Sequence, residues 1–374
     1  MNCDRFKSYM KLPQIKALLT TVFLLALIGV GKFFVFDTGL FNPLKTALNN
    51  FHFSDIYFYW QKDFSNDVDS EVVIVNTAYL HDRDEIATVV DSINAHHPRA
   101  VAVDVVFSET VSTLAAADSH LAVAFNACPN LVLAQRAVLI SKNKWNIERS
   151  FFAEGNTEGV ANFSTALVRT VCTTETFGQE TFPTFAAQVV KKVGVFPTEK
   201  ERIIHFGGID FMVWTPKESF NLDYLEDKIV IVGDTSDLRD WHDIPIGTTG
   251  RSRMSGVELH ALSVITLMSD NIYHSFPKFW SIVIQIAILY LFSLIFCCVS
   301  EKWKNWDNWI QGALQILLIS MILPFCYVLF LIFNLICSPS LTIVGFGLVG
   351  FAKDITDAIT ADKATGIKSK GEDM

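Results

Sequence analysis

Several signatures that would assign a reaction are missing from this chain. It has no Gly-x-x-x-x-Gly-Lys-Ser/Thr phosphate loop, no His-Glu-x-x-His helix, no Gly-x-Ser-x-Gly turn and no Cys-x-x-Cys pair, so the sequence offers no ground for nucleotide hydrolysis, zinc peptidase, serine hydrolase or dithiol chemistry. No enzymatic activity and no cofactor is expected. Basic residues are outnumbered, 30 Lys and Arg against 39 Asp and Glu for a net charge of −9, which argues against nucleic acid and against a polybasic lipid-binding face. There is no internal repeat and no low-complexity run. Nothing resembling a small-x-small cleavage site follows the first apolar stretch, which therefore reads as an uncleaved anchor rather than a removable signal.

Hydrophobic residues, in contrast, make up 51% of the 374, and the mean hydropathy of +0.33 is high for a wholly soluble protein. Four runs approach the roughly 20 residues that a membrane-crossing helix needs: residues 17–36, 279–300, 309–333 and the shorter 335–352. Lys and Arg near span ends stay on the cytoplasmic side. Arg5, Lys7, Lys11 and Lys16 precede the first run, Lys302 and Lys304 lie between the second and third, and Lys353 follows the fourth. All three sets fit one topology: a multi-pass protein of the cell inner membrane with residues 1–16 and 353–374 cytoplasmic and residues 37–277 outside. Trp280, Trp303, Trp306 and Trp309 near span ends suit an aromatic belt.

The outer segment reads as α/β, a mostly parallel sheet flanked by helices. Its centre is the stretch 227–267. Ile229 to Val232 is a β-branched run closed by Gly233, as expected of a strand buried on both faces. A polar loop with Asp234, Asp237, Asp240, His242 and Asp243 follows, and Gly256 then opens a helix apolar on nearly every side. Upstream, 71–77 is strand-like, 82–97 is helical with Ile86, Val89, Val90 and Ile93 on one face, and 100–107 is a second buried strand. Such a βαβ unit implies parallel strands and a right-handed crossover. A helix at 112–127, a strand at 130–135, a helix at 184–195 and a strand at 203–206 continue the pattern, while 142–159 has no clear period. The linker near Leu44, Leu48 and Phe51 shows helical spacing.

In open α/β sheets ligands bind beyond the carboxyl ends of strands. Asn76, Asp104 and Asp234 fall at such ends, with Thr235, Asp240 and His242 following; these six are the candidate ligand contacts. Asp104, inside an apolar run, has two readings: a ligand contact, or a structural carboxylate tied to Arg99, Arg83 or a helix N-terminus. His260 has two as well, a satisfied core histidine or a site residue. Asp240, His242 and Asp243 are a weak metal pattern, and no metal is assigned to them. Of seven cysteines, Cys128 and Cys172 alone fall in the outer segment away from the spans; they are either a disulfide or two separate buried thiols.

The runs RAVAVDVVFSE, IIHFGG, DKIVIVG and SGVELHA, with Asp118 and with Asp240 five residues before Pro245, resemble the CHASE type 2 domain, the extracellular sensory module associated with cyclases and histidine kinases. The likeness covers nearly the whole outer segment and the layout of one span before and three after it. The sequence departs from the family pattern in 79–85, where Arg83 stands for an expected Arg, and in 163–169, where Arg169 remains. The resemblance implies a membrane-anchored sensor of a small-molecule or protein signal. Because the tail after the fourth run is polar and short, the expected partner is a cytoplasmic output protein encoded separately, with the bilayer and a second copy of the chain as further partners. A metal-dependent extracytoplasmic hydrolase and a structural or transport membrane protein are the alternatives.

Overall fold

The computed structural model describes residues 13–33, 52–62, 67–108, 115–142, 144–152, 154–163, 165, 167–206, 209–245, 252–302 and 307–365. The helical spacing around Leu44, Leu48 and Phe51 lies outside them. The chain divides into two units: Ser54–Tyr273, and Met1–Phe53 together with His274–Met374.

The Ser54–Tyr273 unit opens with α2 (Phe53–Lys62), α1 (Pro13–Lys32) belonging to the other unit. Then come β1 (Asp67–Asn76), α3 (Arg83–Asn94), β2 (Ala100–Val103), α4 (Ala115–Ala127), β3 (Leu131–Ser141), β4 (Lys144–Glu148) and β5 (Thr157–Val160). Their sheet runs in the order β10-β1-β11-β2-β3-β4, with β5 also on β3; β10 is Ile209–Trp214 and β11 is Ile229–Gly233. Every pairing in it is parallel except β3 with β4. On one face Val73, Val75, Val101, Val103, Leu131, Leu133, Val230 and Val232 meet α3 and α4, forming a core with Phe107, Phe125 and Phe152. The residues alternating with them face the opposite side, where α5 (Phe185–Lys192) and α6 (Gly256–Met268) cover the sheet.

Caps fix the helices. Asp82 accepts from Glu85 N–H at the start of α3, and Thr184 from Ala187 N–H at the start of α5. Ser255 and Glu258 form a reciprocal capping box on α6. Arg202, on β9 (Glu201–Ile203), is buried and donates through Nη1 to the Thr266, Leu267 and Ser269 carbonyls at 3.2, 3.0 and 2.9 Å. It closes the other end of α6.

Three sequence expectations change. The run 100–107 is a strand only as far as Val103. The strand at 203–206 is not in the main sheet: β9 pairs antiparallel with β6 (Thr170–Cys172), and β10, which the sequence did not indicate, takes the sheet edge. The unassigned 142–159 region supplies β4 and β5. Elsewhere β7 (Thr174–Phe177) pairs β8 (Glu180–Pro183), and β12 (Trp241–Asp243) pairs β13 (Arg253–Ser255).

The other unit contains α1, β14 (His274–Ser275), α7 (Lys278–Lys302), α8 (Asp307–Phe333), β15 (Leu335–Ile336) and α9 (Ser340–Thr365). Among the described residues three helical stretches are long and apolar enough to cross a membrane: Pro13–Lys32, Lys278–Ser300 and Trp309–Phe333. The expected fourth span at 335–352 is redrawn. Its first residues form β15, and α9 starts at Ser340 and runs on through Lys353, Asp354 and Asp357. Leu24 of α1, Leu289, Phe292 and Phe296 of α7, and Phe346, Val349 and Ala352 of α9 share one apolar core.

Replacing Arg202 by Met should strand three helix-terminal carbonyls and cost roughly 2 to 4 kcal/mol. A denaturant midpoint unchanged from the parent would contradict that role.

Candidate functional site

The site is built where β1, β11 and β2 end together. Asn76 lies opposite Gly233, and Val232 opposite Val103, so the residues after them emerge side by side. The helix α6 descends onto this edge. A Cβ at Gly233 would lie 2.6 Å from Val257 Cγ2 and 3.2 Å from Asp104 Cβ, an approach only glycine permits. The turn Leu238–Asp240 then sets the Asp240 carboxylate against the first residue of α6, since a Cβ at Gly256 would lie 2.8 Å from Asp240 Cγ. A carboxylate at a helix N-terminus is favoured by the orphan N–H groups and the helix dipole.

Above this edge opens a cleft of about 620 Å³, lined by Asp104, Asp234, Asp237, Asp240, His242, His260, Arg136, Arg239, Asn162 and Phe163 among others. Four carboxylates face two guanidinium groups. Arg136 pairs with Glu148 at 2.6 Å and Arg239 with Asp237 at 2.8 Å, so the cleft keeps an excess of negative charge. Phe163 stacks on the His260 ring at 4.8 Å and meets the His242 ring edge-on at 5.0 Å. His242 Nε2 lies 3.6 Å from Asp240 Oδ1.

Asp104 and His260 form the floor. Their side chains are 11% and 6% exposed, with His260 Nε2 3.9 Å from Asp104 Oδ2. Burial, helped by Asp240, pushes the Asp104 carboxyl up to about 7. Burial pushes His260 down to about 4, against the opposing pull of Asp240. Each is therefore driven towards its neutral form. The arrangement offers hydrogen bonds, negative potential and an aromatic face to a polar ligand.

The family model of the CHASE2 domain matches residues 24–297. The chain belongs to the CHASE2 domain family. CHASE2 is a sensory rather than a catalytic domain, and the match makes this a signal-transduction sensor with several apolar helices. Among curated proteins and solved structures nothing matches the chain.

Four of the six candidate contacts line the CHASE2 cleft: Asp104, Asp234, Asp240 and His242. Asn76 and Thr235 do not. The Asn76 side chain accepts from Ala78 N–H at 3.1 Å and Thr235 N–H at 3.3 Å, which makes it a clamp between two turns. Asp104 is not tied to Arg99, which pairs with Glu71, nor to Arg83, which pairs with Asp118 at 2.5 Å. Arg169 binds Asp55 through Nε and Nη2 at 3.2 and 2.6 Å. The two arginines kept within the segments that depart from the family pattern thus hold α3 to α4 and the segment before β6 to α2. His260 fits both of its readings, being buried and yet lining the cleft.

Cys128 and Cys172 are not bridged. Cys128 is buried with α3 and α4 on one face of the sheet, and Cys172 lines a pocket with Ala186, His260 and Ser263 on the other, so the sheet separates them. Among the described residues no group of three or more His, Cys, Asp or Glu is arranged to hold a metal; Asp243 turns to Arg253 at 3.3 Å. The reading from sequence missed Asn162 and Phe163, which follow the carboxyl end of β5. Assigning 157–160 as a parallel strand would have pointed to them.

Opposed proton linkages follow in the CHASE2 unit. Asp104 titrates higher folded than its ordinary 3.8, so its contribution to stability is full below that value and is lost as the pH rises through about 7. His260 titrates below its ordinary 6.5, so its contribution is present above 6.5 and is lost as the pH falls towards about 4. Asp104→Asn should therefore melt above the parent near pH 8, with the gap closing near pH 4. Melting below the parent near pH 8 would show that the carboxylate has a stabilising partner.

Proposed function

We propose that this CHASE2 protein is a membrane-anchored sensor whose Ser54–Tyr273 unit lies outside the cytoplasm and binds a signal in the cleft through Asp104, Asp234, Asp240 and His242, joined by His260 and Phe163. The observation that carries this reading is the cleft itself. It is roomy, it sits beyond the carboxyl ends of adjacent parallel strands, and polar groups converge on it. The signal is a small polar molecule or a protein segment. It passes through four helices of an inner-membrane protein with both termini cytoplasmic, to an output protein encoded separately, with a second copy of the chain as a further partner.

Two features of the helical unit support an even number of crossings. At one end Lys16 of α1 and Lys353 of α9 both reach Asp357, at 3.5 and 3.2 Å, and Thr20 bonds Thr356. The start of α1 and the later half of α9 therefore share an end, one rich in lysine, as cytoplasmic ends are. At the start of α7, β14 pairs with β15, which precedes α9. The apolar part of α9 supplies the fourth crossing, its charged continuation lying in the cytoplasm.

Compartment-sensitive reporters fused after Ser54 and after Lys353 should report opposite sides of the membrane. Both on one side would reject the arrangement.

A further inference from the structure

Helix α8 ends at Phe333, and the next residue, Asn334, takes a left-handed conformation (φ 52°) while its N–H bonds Phe330 O. Asparagine tolerates this conformation and ends helices with it. The chain reverses, and β15 is stitched to β14 by His274 N–H to Asn334 O at 2.9 Å and Phe276 N–H to Ile336 O at 3.1 Å. From Asn334 to Cys337 an extended chain travels about 10 Å. The seven residues of helix between Cys326 and Phe333 span about 10.5 Å. The reversed segment thus brings Cys337 back to the level of Cys326. The two thiols hydrogen-bond one another, and both line one apolar pocket of about 160 Å³ with Phe325, Leu329 and Thr342. Both are free thiols in the structure, Cys326 buried and Cys337 half-buried.

We propose that Cys326 and Cys337 are a site of oxidation and stand as a disulfide in the mature protein. This rests on the topology above, which turns the Asn334–Pro339 end towards an oxidising compartment, and not on the cleft. Cys337, the more accessible, attacks as a thiolate one sulfur of an extracytoplasmic disulfide oxidant; a mixed disulfide forms and the oxidant's second sulfur leaves as a thiolate. Cys326, giving its proton to solvent, then attacks the Cys337 sulfur and releases the oxidant's first sulfur. Two electrons pass from the cysteine pair to the oxidant, which departs as a dithiol after taking up two protons. The bridge clamps the end of α8 to the turn that is hydrogen-bonded to the strand leading into α7.

The full-length protein, isolated in membranes without reductant, is denatured in excess N-ethylmaleimide, then reduced and labelled with a polyethylene glycol maleimide. Two labelled thiols are expected, placed by chymotryptic mass mapping at Cys326 and Cys337. Cys326→Ser and Cys337→Ser should each abolish the label, and Cys128→Ser should leave it. No label after reduction, or label on another pair, overturns the proposal, and mapping of the parent chain decides if a Ser variant fails to accumulate. A reporter fused after Pro339 separates the two failures. If it reads cytoplasmic, topology and bridge fall together; if it reads extracytoplasmic with every thiol alkylated beforehand, the bridge alone falls.

Discussion

The Ser54–Tyr273 unit depends on burying β11 on both faces at once. All five residues from Ile229 to Gly233 are buried, and a fully buried Val or Ile contributes roughly 1.5 to 3 kcal/mol. That burial requires helices on both sides: Val230 and Val232 face α3 and α4, which leaves Ile229 and Ile231 for the side of α6. A strand so enclosed ends where α6 crosses it, and the crossing is close enough to demand glycine at 233. The same constraint that completes the core therefore delivers Asp104, Asp234 and Asp240 to one edge.

The electrostatics of that edge follow from burial more than from pairing. Asp104 and His260 lie 3.9 Å apart, but an acid raised to about 7 beside a base lowered to about 4 is not an ion pair at neutral pH. The imidazole is neutral there, and burial holds the carboxyl far above the ordinary carboxylate range. Such a floor changes its charge at small cost when a ligand brings charge of its own. This is a property suited to sensing, and it stands apart from Arg83–Asp118 and Arg169–Asp55, where fixed guanidinium pairs hold elements together.

Much of this was legible in the residues. The β-branched runs at 72–75 and 229–232 and the apolar start of 100–107 announced central strands, and the alternation of strand and helix announced a parallel sheet. The order of chain ends then placed Asp104 and Asp234 together. What the sequence hid has physical causes. β5 is a short edge strand of mixed polarity, and edge strands need no continuous apolar run; β10 does carry an apolar run, Phe211 to Trp214, but a run of four residues does not by itself distinguish a strand from a buried helix turn. Asn76 carries the same side chain whether it meets a ligand or bonds Ala78 and Thr235 N–H, so its role as a clamp needed coordinates. Phe163 lies beyond the segment without a period, and its position is set by the loop after β5 and not by a repeat. The separation of Cys128 from Cys172 depended on which face of the sheet each element covers, and spacing along the chain does not encode that.

The helical unit joins α1, α7 and α9 through one apolar core, with lysines and Asp357 at one end and the β14–β15 pairing at the start of α7. The most direct measurement is the output of the proposed cytoplasmic partner, compared between the parent chain and an Asp234→Asn, His242→Gln double variant. Both replacements keep the side chain polar and close in size, and remove one of the cleft's four carboxylate charges and one of its two imidazoles. A sensing cleft predicts that the response is lost while the melting temperature stays within a few degrees of the parent. An unaltered response from the folded variant would contradict it and place the signal's site elsewhere on the protein.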